Sequence, residues 1–302
     1  MIYDLIIIGA GPAGITAAIY AARKKMNFIL ISRDIGGQTA WSGDIENYTG
    51  YQFVSGPELV AKFEEHLRKF EINLKENEAV TELSKSGNII KVKTGQAQYQ
   101  AKALIIASGK RSRELNIPGE KEYKNLGLTY CATCDGPLFQ GKDVAVIGGG
   151  NSALDAALQL VKICSRVNII NISPELTGDP VMIDTLKESP NATVFNSSAV
   201  KRINGDKFVK AIEIDFQGKP MTLAVSGIFV EIGLIPNSDF ASLVKRNEAG
   251  EIMVDARNNT SVEGIFSAGD VTDVPEKQII IAAGEGSKAL LSAFRYLISH
   301  KF

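Results

Sequence analysis

Two glycine-rich turns, each set between an apolar run of strand length and a helical segment rich in small residues, constrain this chain more than any other feature. The first is Gly9-Ala10-Gly11-Pro12-Ala13-Gly14, with residues 3–8 before it and 15–25 after it. The second is Gly148-Gly149-Gly150-Asn151-Ser152-Ala153, with residues 143–147 before it and 154–163 after it. Strand-length runs, 28–31 and 167–172, follow the two helical segments. Strand, turn, helix, strand is a βαβ unit. Its second start falls 139 residues after the first, from Gly9 to Gly148, which is a duplication and not a short-period solenoid. The expected fold is α/β with two Rossmann-like dinucleotide-binding domains.

Such a turn has a chemical reason. Its first glycine makes the tight bend, its second lets backbone approach a pyrophosphate, and its third residue must be small for the helix to pack on the sheet. The helix N-terminus then offers free N–H groups and a partial positive charge to the phosphates. Gly9, Gly11 and Gly14 meet these demands, and Gly148, Gly150 and Ala153 meet them again. Two sites imply two dinucleotides, most economically FAD and a nicotinamide. An acidic residue for the ribose is expected about 20 residues past each turn. The first unit reads Ser32-Arg33-Asp34 there, and the second reads Asn171 followed by Ile172-Ser173-Pro174-Glu175. Asn171 can hydrogen-bond a ribose hydroxyl, and no cation follows for a 2′-phosphate, so NADH is favoured over NADPH.

The chain of 302 residues has the length of two domains. Residues 57–70 form an expected amphipathic helix, with Pro57 in its first turn and Leu59, Phe63, Leu67 and Phe70 at helical spacing. Residues 89–92 and 103–107 read as strands. The segments 112–119 and 236–250 are the candidate linkers. Together they predict a discontinuous FAD-binding domain, 1–113 and 244–302. A nicotinamide-binding domain, 114–243, is inserted in it and carries Cys131 and Cys134.

A net charge of −1 gives no basic field for nucleic acid. No apolar run approaches the roughly 20 residues that cross a bilayer, so no membrane role is expected. A strand begins by residue 3 or 4, leaving no room for an export signal, and a cytoplasmic location is expected. Three cysteines are too few for a disulfide scaffold.

Two of them form Cys131-Ala132-Thr133-Cys134, followed by Asp135. This spacing can close an intramolecular disulfide and often lowers one thiol's pKa. One thiolate attacks a partner disulfide and the second resolves the mixed intermediate. Asp135 is a candidate acid or base beside them. Structural zinc wants four ligands, and only Cys164, His66 and His300 could be added, none at motif spacing, so no metal is expected. Cys164 reads as packing. His66 and His300 read as solvated. Trp41 reads as flavin cover or core, and Phe294, Leu297 and Ile298 as core or dimer contact.

The set Gly9/Gly11/Gly14, Gly36-Gly37-Gln38, Glu46-Asn47-Tyr48, Cys131-Ala-Thr-Cys134-Asp135-Gly136, Gly148-Gly-Gly150-Asn-Ser-Ala153 and Ala268-Gly269-Asp270 resembles low-molecular-weight thioredoxin reductase over nearly the whole chain. The second half is more similar still to the reductase part of the F component of alkyl hydroperoxide reductase. The stretches that carry this are Cys134-Asp-Gly-Pro-Leu-Phe139, Gly148-Gly-Gly-Asn-Ser152, Gly227-Ile-Phe-Val230, Ile232-Gly-Leu-Ile-Pro-Asn237 and Lys277-Gln-Ile-Ile-Ile281. That relative carries N-terminal thioredoxin-fold domains. This chain begins at the FAD strand, so its acceptor is expected to be a separate thioredoxin- or glutaredoxin-like protein.

The resemblance implies that Cys134 faces the flavin, Cys131 attacks the partner and Asp135 delivers the proton. It places Gln38 and Asn47 near the flavin or ribityl chain, Asp270 on ribityl or phosphate oxygens, and Gln278 and Ile279 near the ring. Pro12, Ala13, Ser32, Arg33, Gly36, Gly37, Val80, Gly109, Gly269 and Lys277 complete the candidate FAD contacts. Gly149, Asn151, Ser152, Asn171 and Gly233 complete the nicotinamide set. It also implies a homodimer that alternates between two domain orientations. Thioredoxin reductases that use NADPH carry His-Arg-Arg where this chain reads Asn171-Ile172-Ser173, and the alkyl hydroperoxide reductase pattern has Glu in place of Asn171. Two other readings stay open. One is an NADH oxidase or ferredoxin–nicotinamide reductase that does not use the dithiol. The other is a nucleotide-bound sensor without turnover.

Overall fold

In the computed structural model the first strand, Ile2–Ala10, buries Leu5, Ile6 and Ile7 completely, on both faces of its sheet. A strand covered on both sides needs such a continuous apolar run, and a parallel sheet supplies the setting. Its neighbours are Phe28–Ile35 and Gln98–Ile106, both parallel to it. Asn73–Lys75 extends the sheet beyond Phe28–Ile35. On the other side Ile89–Thr94 pairs antiparallel with Gln98–Ile106 and Val80–Ser86 pairs antiparallel with Ile89–Thr94, while Ile265–Ser267 pairs parallel with Gln98–Ile106. The structure describes residues 2–42, 44–45, 47–300 and 302, without the side chains of Trp41, Asp44 and Cys134. The readings placed on Trp41, Glu46 and the Cys134 side chain therefore lie outside the described residues.

The chain forms two units, Met1–Arg111 with Ile235–Phe302, and Ser112–Leu234. The second is inserted in the first. The return crossing comes at Ile235, earlier than the 244 expected from the Pro236-to-Gly250 segment. The reason is local pairing. Asn237 donates its amide to the Gly109 carbonyl (2.9 Å) and its side-chain amide to the Ser108 carbonyl (2.9 Å). Ala241 and Val244 then join the core that holds Ile252 and Val271.

Two helices cover one face of the first unit's sheet. Pro12–Arg23 buries Ile15, Ala17, Ala18 and Ala21, and the last helix, Ile279–Ser299, buries Ala289, Leu290 and Ala293 against the same core. Small side chains let these helices lie close. A methyl group on Gly286 would stand 2.0 Å from the Ala13 carbonyl oxygen. The helix Gly56–Arg68 opens with a capping box. Ser55 accepts from the Glu58 amide, and the Glu58 carboxylate accepts from the Ser55 amide.

The second unit centres on an all-parallel sheet in the order Leu128–Thr129, Gly227–Val230, Asp143–Ile147, Arg166–Ile170, Ala192–Phe195. An antiparallel meander, Ser198–Gly205, Val209–Phe216 and Lys219–Ala224, packs Ile203, Ile212 and Ile214 into the core of one face. The helix Asn151–Leu160 packs on the other face through Ala153, Leu154, Ala156 and Ala157. No described helix is long and apolar enough to cross a membrane.

Candidate functional site

In the first unit the glycines answer three separate demands. Gly9 has φ +100°, and a Cβ there would lie 2.2 Å from the Ala107 carbonyl oxygen. A Cβ on Gly14 would lie 1.7 Å from the Gly9 carbonyl oxygen, so only hydrogen fits where the helix meets the turn. Gly11 is different. It caps the helix Pro12–Arg23 with no side-chain hydrogen bond, and its missing Cβ would meet nothing closer than Gly36 O at 3.9 Å. The helix thus begins without a side-chain cap and beside bare backbone, an arrangement that fits a pyrophosphate.

Other predicted residues gather round this cradle. The Gly36 amide donates to the Ala10 carbonyl (2.7 Å), and Gly37 lies against Gly11. A Cβ on Gly269 would come within 3.0 Å of Ala13 Cβ, so the Gly269-Asp270 turn borders the same helix start. Gln38 donates to the Lys110 carbonyl beside Gly109 (3.0 Å), and Asn47 donates to Gln278 Oε1 (3.1 Å), which immediately precedes Ile279. Arg33 is exposed and Val80 is buried. The Ser32 hydroxyl is already engaged, accepting from the Ala10 amide (3.0 Å) and donating to the Asp34 carbonyl (2.6 Å). Burial raises the Asp270 carboxyl above its ordinary range, opposed by Lys277 and Lys110.

Two carboxylates here escaped the sequence reading. Glu285, 6% exposed on the last helix, accepts from the Gly269 amide (3.0 Å) and so holds the Asp270 turn. Glu251 sits between Lys110 (2.9 Å) and Lys277 (3.1 Å). Burial opposes ionisation of Glu251, but hydrogen bonds from Asn247, Lys110 and Lys277 pull its carboxyl down to about 2. The available signal for Glu285 was that it is the one acid in the helix Ile279–Ser299.

The second unit repeats the cradle. Gly148 has φ +137°, and its Cβ would stand 2.1 Å from the Glu231 carbonyl oxygen. Ala153 is fully buried under it. Gly150 caps the helix Asn151–Leu160 without a side-chain bond, and its nearest side-chain atom would be Thr177 Oγ1 at 3.9 Å. Ser152 is exposed, and the Asn151 side chain accepts from the Asp179 amide (2.7 Å). Gly233, at φ +98°, accepts from the Arg113 amide (2.9 Å).

Asn171 has another employment than the one expected. It is 2% exposed, and its side-chain nitrogen, with two hydrogens to give, has Ser173 O (3.1 Å), Glu175 O (2.8 Å) and Asn196 Oδ1 (2.9 Å) within hydrogen-bond distance, while its oxygen accepts from the Ser173 amide (3.2 Å). The Thr177 amide donates to Gly149 O (2.8 Å), so the loop after this strand folds back onto the glycine turn. Ile172 is left 76% exposed at the position where a cation for a 2′-phosphate is sought.

Glu231, also unpredicted, follows the strand Gly227–Val230, and its amide donates to Ile147 O (2.8 Å) beside the turn. Burial, together with the Asp155 charge, raises its carboxyl to about 8. Between the ordinary value of 4.5 and about 8, the folded chain keeps a proton that the unfolded chain has given up. Stability on this account falls as pH rises through that window and is level above it. Glu231→Gln removes the effect, worth at most about 1.4 kcal/mol per pH unit. Melting temperatures at pH 5 and pH 8 should therefore diverge in the variant's favour. Parallel profiles would overturn the assignment.

The cysteine pair occupies the short helix Ala132–Asp135 and the residue before it, after the strand Leu128–Thr129. Cys131 is partly buried, and its amide donates to Thr129 Oγ1 (3.2 Å). The Thr129 hydroxyl in turn donates to Asp135 Oδ2. Thr133 donates to Gln159 Oε1 (2.9 Å), and Gln159 donates to Asp155 (2.9 Å), which ties the helix Ala132–Asp135 to the helix that the second turn opens. Cys164 is buried, its thiol donating to Phe139 O (3.4 Å) and pushed up to about 11 by burial and by Asp143. His66 is exposed, whereas His300 pairs with Glu263 (2.9 Å) and stacks on Tyr296. Among the described residues no group of three His, Cys, Asp or Glu could hold a metal.

Two nucleotide cradles of α/β type, one of them in the unit that carries a Cys-x-x-Cys, define an oxidoreductase of the two-dinucleotide disulfide class. The chain belongs to the pyridine nucleotide-disulphide oxidoreductase family, whose model matches residues 3–286. That family implies FAD and a nicotinamide, and the two cradles fit both. The chain is 42% identical over 299 residues to a Bacillus subtilis (strain 168) NADH dehydrogenase, covering 98% of this chain and 59% of the relative. It is 40% identical over 308 residues to the F component of alkyl hydroperoxide reductase from Escherichia coli (strain K12), covering 99% and 59%. The chain thus spans less than two thirds of these relatives. The Lactococcus lactis thioredoxin reductase structure superposes with a TM-score of 0.92 at 35% identity, covering 99% of this chain and 100% of that one. The T. acidophilum thioredoxin reductase gives 0.90 at 36%, covering 98% and 99%. The fold is that of thioredoxin reductase-like flavin disulfide oxidoreductases.

Proposed function

We propose that this chain is an NADH-driven disulfide reductase whose Cys131–Cys134 pair reduces a disulfide on a separate thioredoxin- or glutaredoxin-like protein. The observation that carries the reading is the dithiol helix itself, hydrogen-bonded through Thr133 and Gln159 to the helix that the second cradle opens. FAD, when bound, supplies the two-electron relay. The Gly11 helix N-terminus would hold its pyrophosphate, the Gly269-Asp270 turn its ribityl or phosphate oxygens, and Gln38, Asn47, Gln278 and Ile279 would border its ring. The Gly150 helix N-terminus would hold the nicotinamide dinucleotide. Cys131 attacks the partner's disulfide, Cys134 resolves the mixed disulfide, and Asp135 carries a proton between the sulfurs. A homodimer in the cytoplasm is the proposed working form.

NADH is the proposed donor because the loop from Asn171 to Asp179 holds two acids and no cation. NADH should bleach the flavin band in preference to NADPH. Replacing Ile172 and Ser173 together by arginine should raise NADPH efficiency about tenfold or more, since Arg–phosphate contacts are charge-assisted. Equal use of both donors by the unchanged protein would overturn the donor assignment.

A second reading is favoured by the name of the B. subtilis relative, NADH dehydrogenase. It is an NADH oxidoreductase that passes electrons to oxygen or ferredoxin and does not use the dithiol. It requires turnover that survives loss of both cysteines.

A further inference from the structure

We propose that Thr129 is a positioning residue for the dithiol chemistry, aiming the Asp135 carboxylate as proton carrier; this rests on the disulfide-reductase reading above. Thr129 lies on the short strand Leu128–Thr129, 6% exposed, before the cysteine helix. A hydroxyl has one hydrogen and two lone pairs. Here the hydrogen goes to Asp135 Oδ2, and a lone pair receives the Cys131 amide at 3.2 Å. The Asp135 amide also donates to the Cys131 carbonyl at 3.2 Å. One buried hydroxyl therefore fixes both the acid and the first cysteine to the edge of the parallel sheet, at the place where the chain leaves it.

The step served is exchange with a disulfide R′–S–S–R′. Two protein thiols are oxidised to one disulfide, the R′ sulfur–sulfur bond breaks, and two R′SH form. Two electrons and two protons pass from the protein sulfurs to the R′ sulfurs. Asp135 takes one proton from an attacking thiol and gives it to a departing R′ sulfur, ending as it began. A carboxylate free to rotate meets that proton less often, because acid–base transfer depends on hydrogen-bond reach.

The test uses the flavin-loaded protein, reduced with dithiothreitol and freed of it under nitrogen, then mixed with hydroxyethyl disulfide. Protein thiols are counted in acid-quenched samples. Thr129→Val keeps the branched shape without the hydroxyl and should slow exchange about tenfold or more. Thr129→Ser should restore the wild-type rate. Asp135→Asn should slow exchange about a hundredfold. The double variant Thr129→Val/Asp135→Asn should be no slower than Asp135→Asn alone, since the two act as one unit. The assignment is overturned if Thr129→Val exchanges at the wild-type rate, or if it slows the Asp135→Asn protein by the factor seen in the wild type. A Cys131→Ser protein that still consumes the disulfide at the wild-type rate would instead remove the underlying dithiol reading.

Discussion

Replacing Cys131 by serine is expected to lower protein-disulfide reduction about a thousandfold or more, while NADH still bleaches the flavin. Serine preserves the size of the side chain but not its nucleophilicity, because a thiolate forms near neutral pH and an alkoxide does not. The Thr129 and Gln159 anchors of the helix involve other atoms than the Cys131 sulfur, so the local fold should persist. The two half-reactions would then separate. Stopped-flow flavin reduction stays, and transfer to a thioredoxin-like substrate goes. Loss of both would mean that the variant had damaged nucleotide binding. Loss of neither would favour the dithiol-free oxidoreductase.

The second large effect is a contrast between two glycines in one turn. Gly14→Ala drives a methyl into the Gly9 carbonyl, which cannot move without shifting the Pro12–Arg23 helix off its sheet. It should cost about 3 kcal/mol or more and yield poorly folded protein. Gly11→Ala has backbone angles that alanine accepts and no neighbour closer than 3.9 Å, so it should fold with a near wild-type melting temperature. Its methyl occupies the space proposed for the FAD pyrophosphate. The variant should therefore purify with little flavin, with affinity reduced about tenfold or more. Flavin content per folded chain, read by absorbance and circular dichroism together, separates the cases. A fully yellow Gly11→Ala protein would place the pyrophosphate elsewhere.

Gly9 and Gly14 were legible in sequence because crowding leaves them no substitute. The helix Gly56–Arg68 was legible too, since Pro57 and four apolar residues mark one stripe. What escaped was formed by residues far apart in the chain. Glu251 has no local signature, and its meaning comes from Lys110 and Lys277 closing on it. Asn171 lies about 20 residues past the second glycine turn, where a ribose partner is sought. Its actual bonds depend on the loop turning back to Gly149, a path that side-chain periodicity does not encode. Thr129 has no local signature either, and only the fold shows that its hydroxyl donates to Asp135. The meander from Ser198 to Ala224 went unmarked because its strands add to one face of a core already implied by the duplicated units.

The insertion also imposes an order on biosynthesis. Ser112–Leu234 is one uninterrupted segment and can close as soon as it leaves the ribosome. The surrounding unit must wait, because Ile265–Ser267 completes its sheet and Glu285 arrives only with the last helix to tether Gly269. During synthesis the first glycine turn is exposed long before the Gly269 turn and the last helix reach it. A nascent chain stalled near residue 280, with its last stretch still inside the ribosome, should accordingly protect the inserted segment from protease while retaining no flavin.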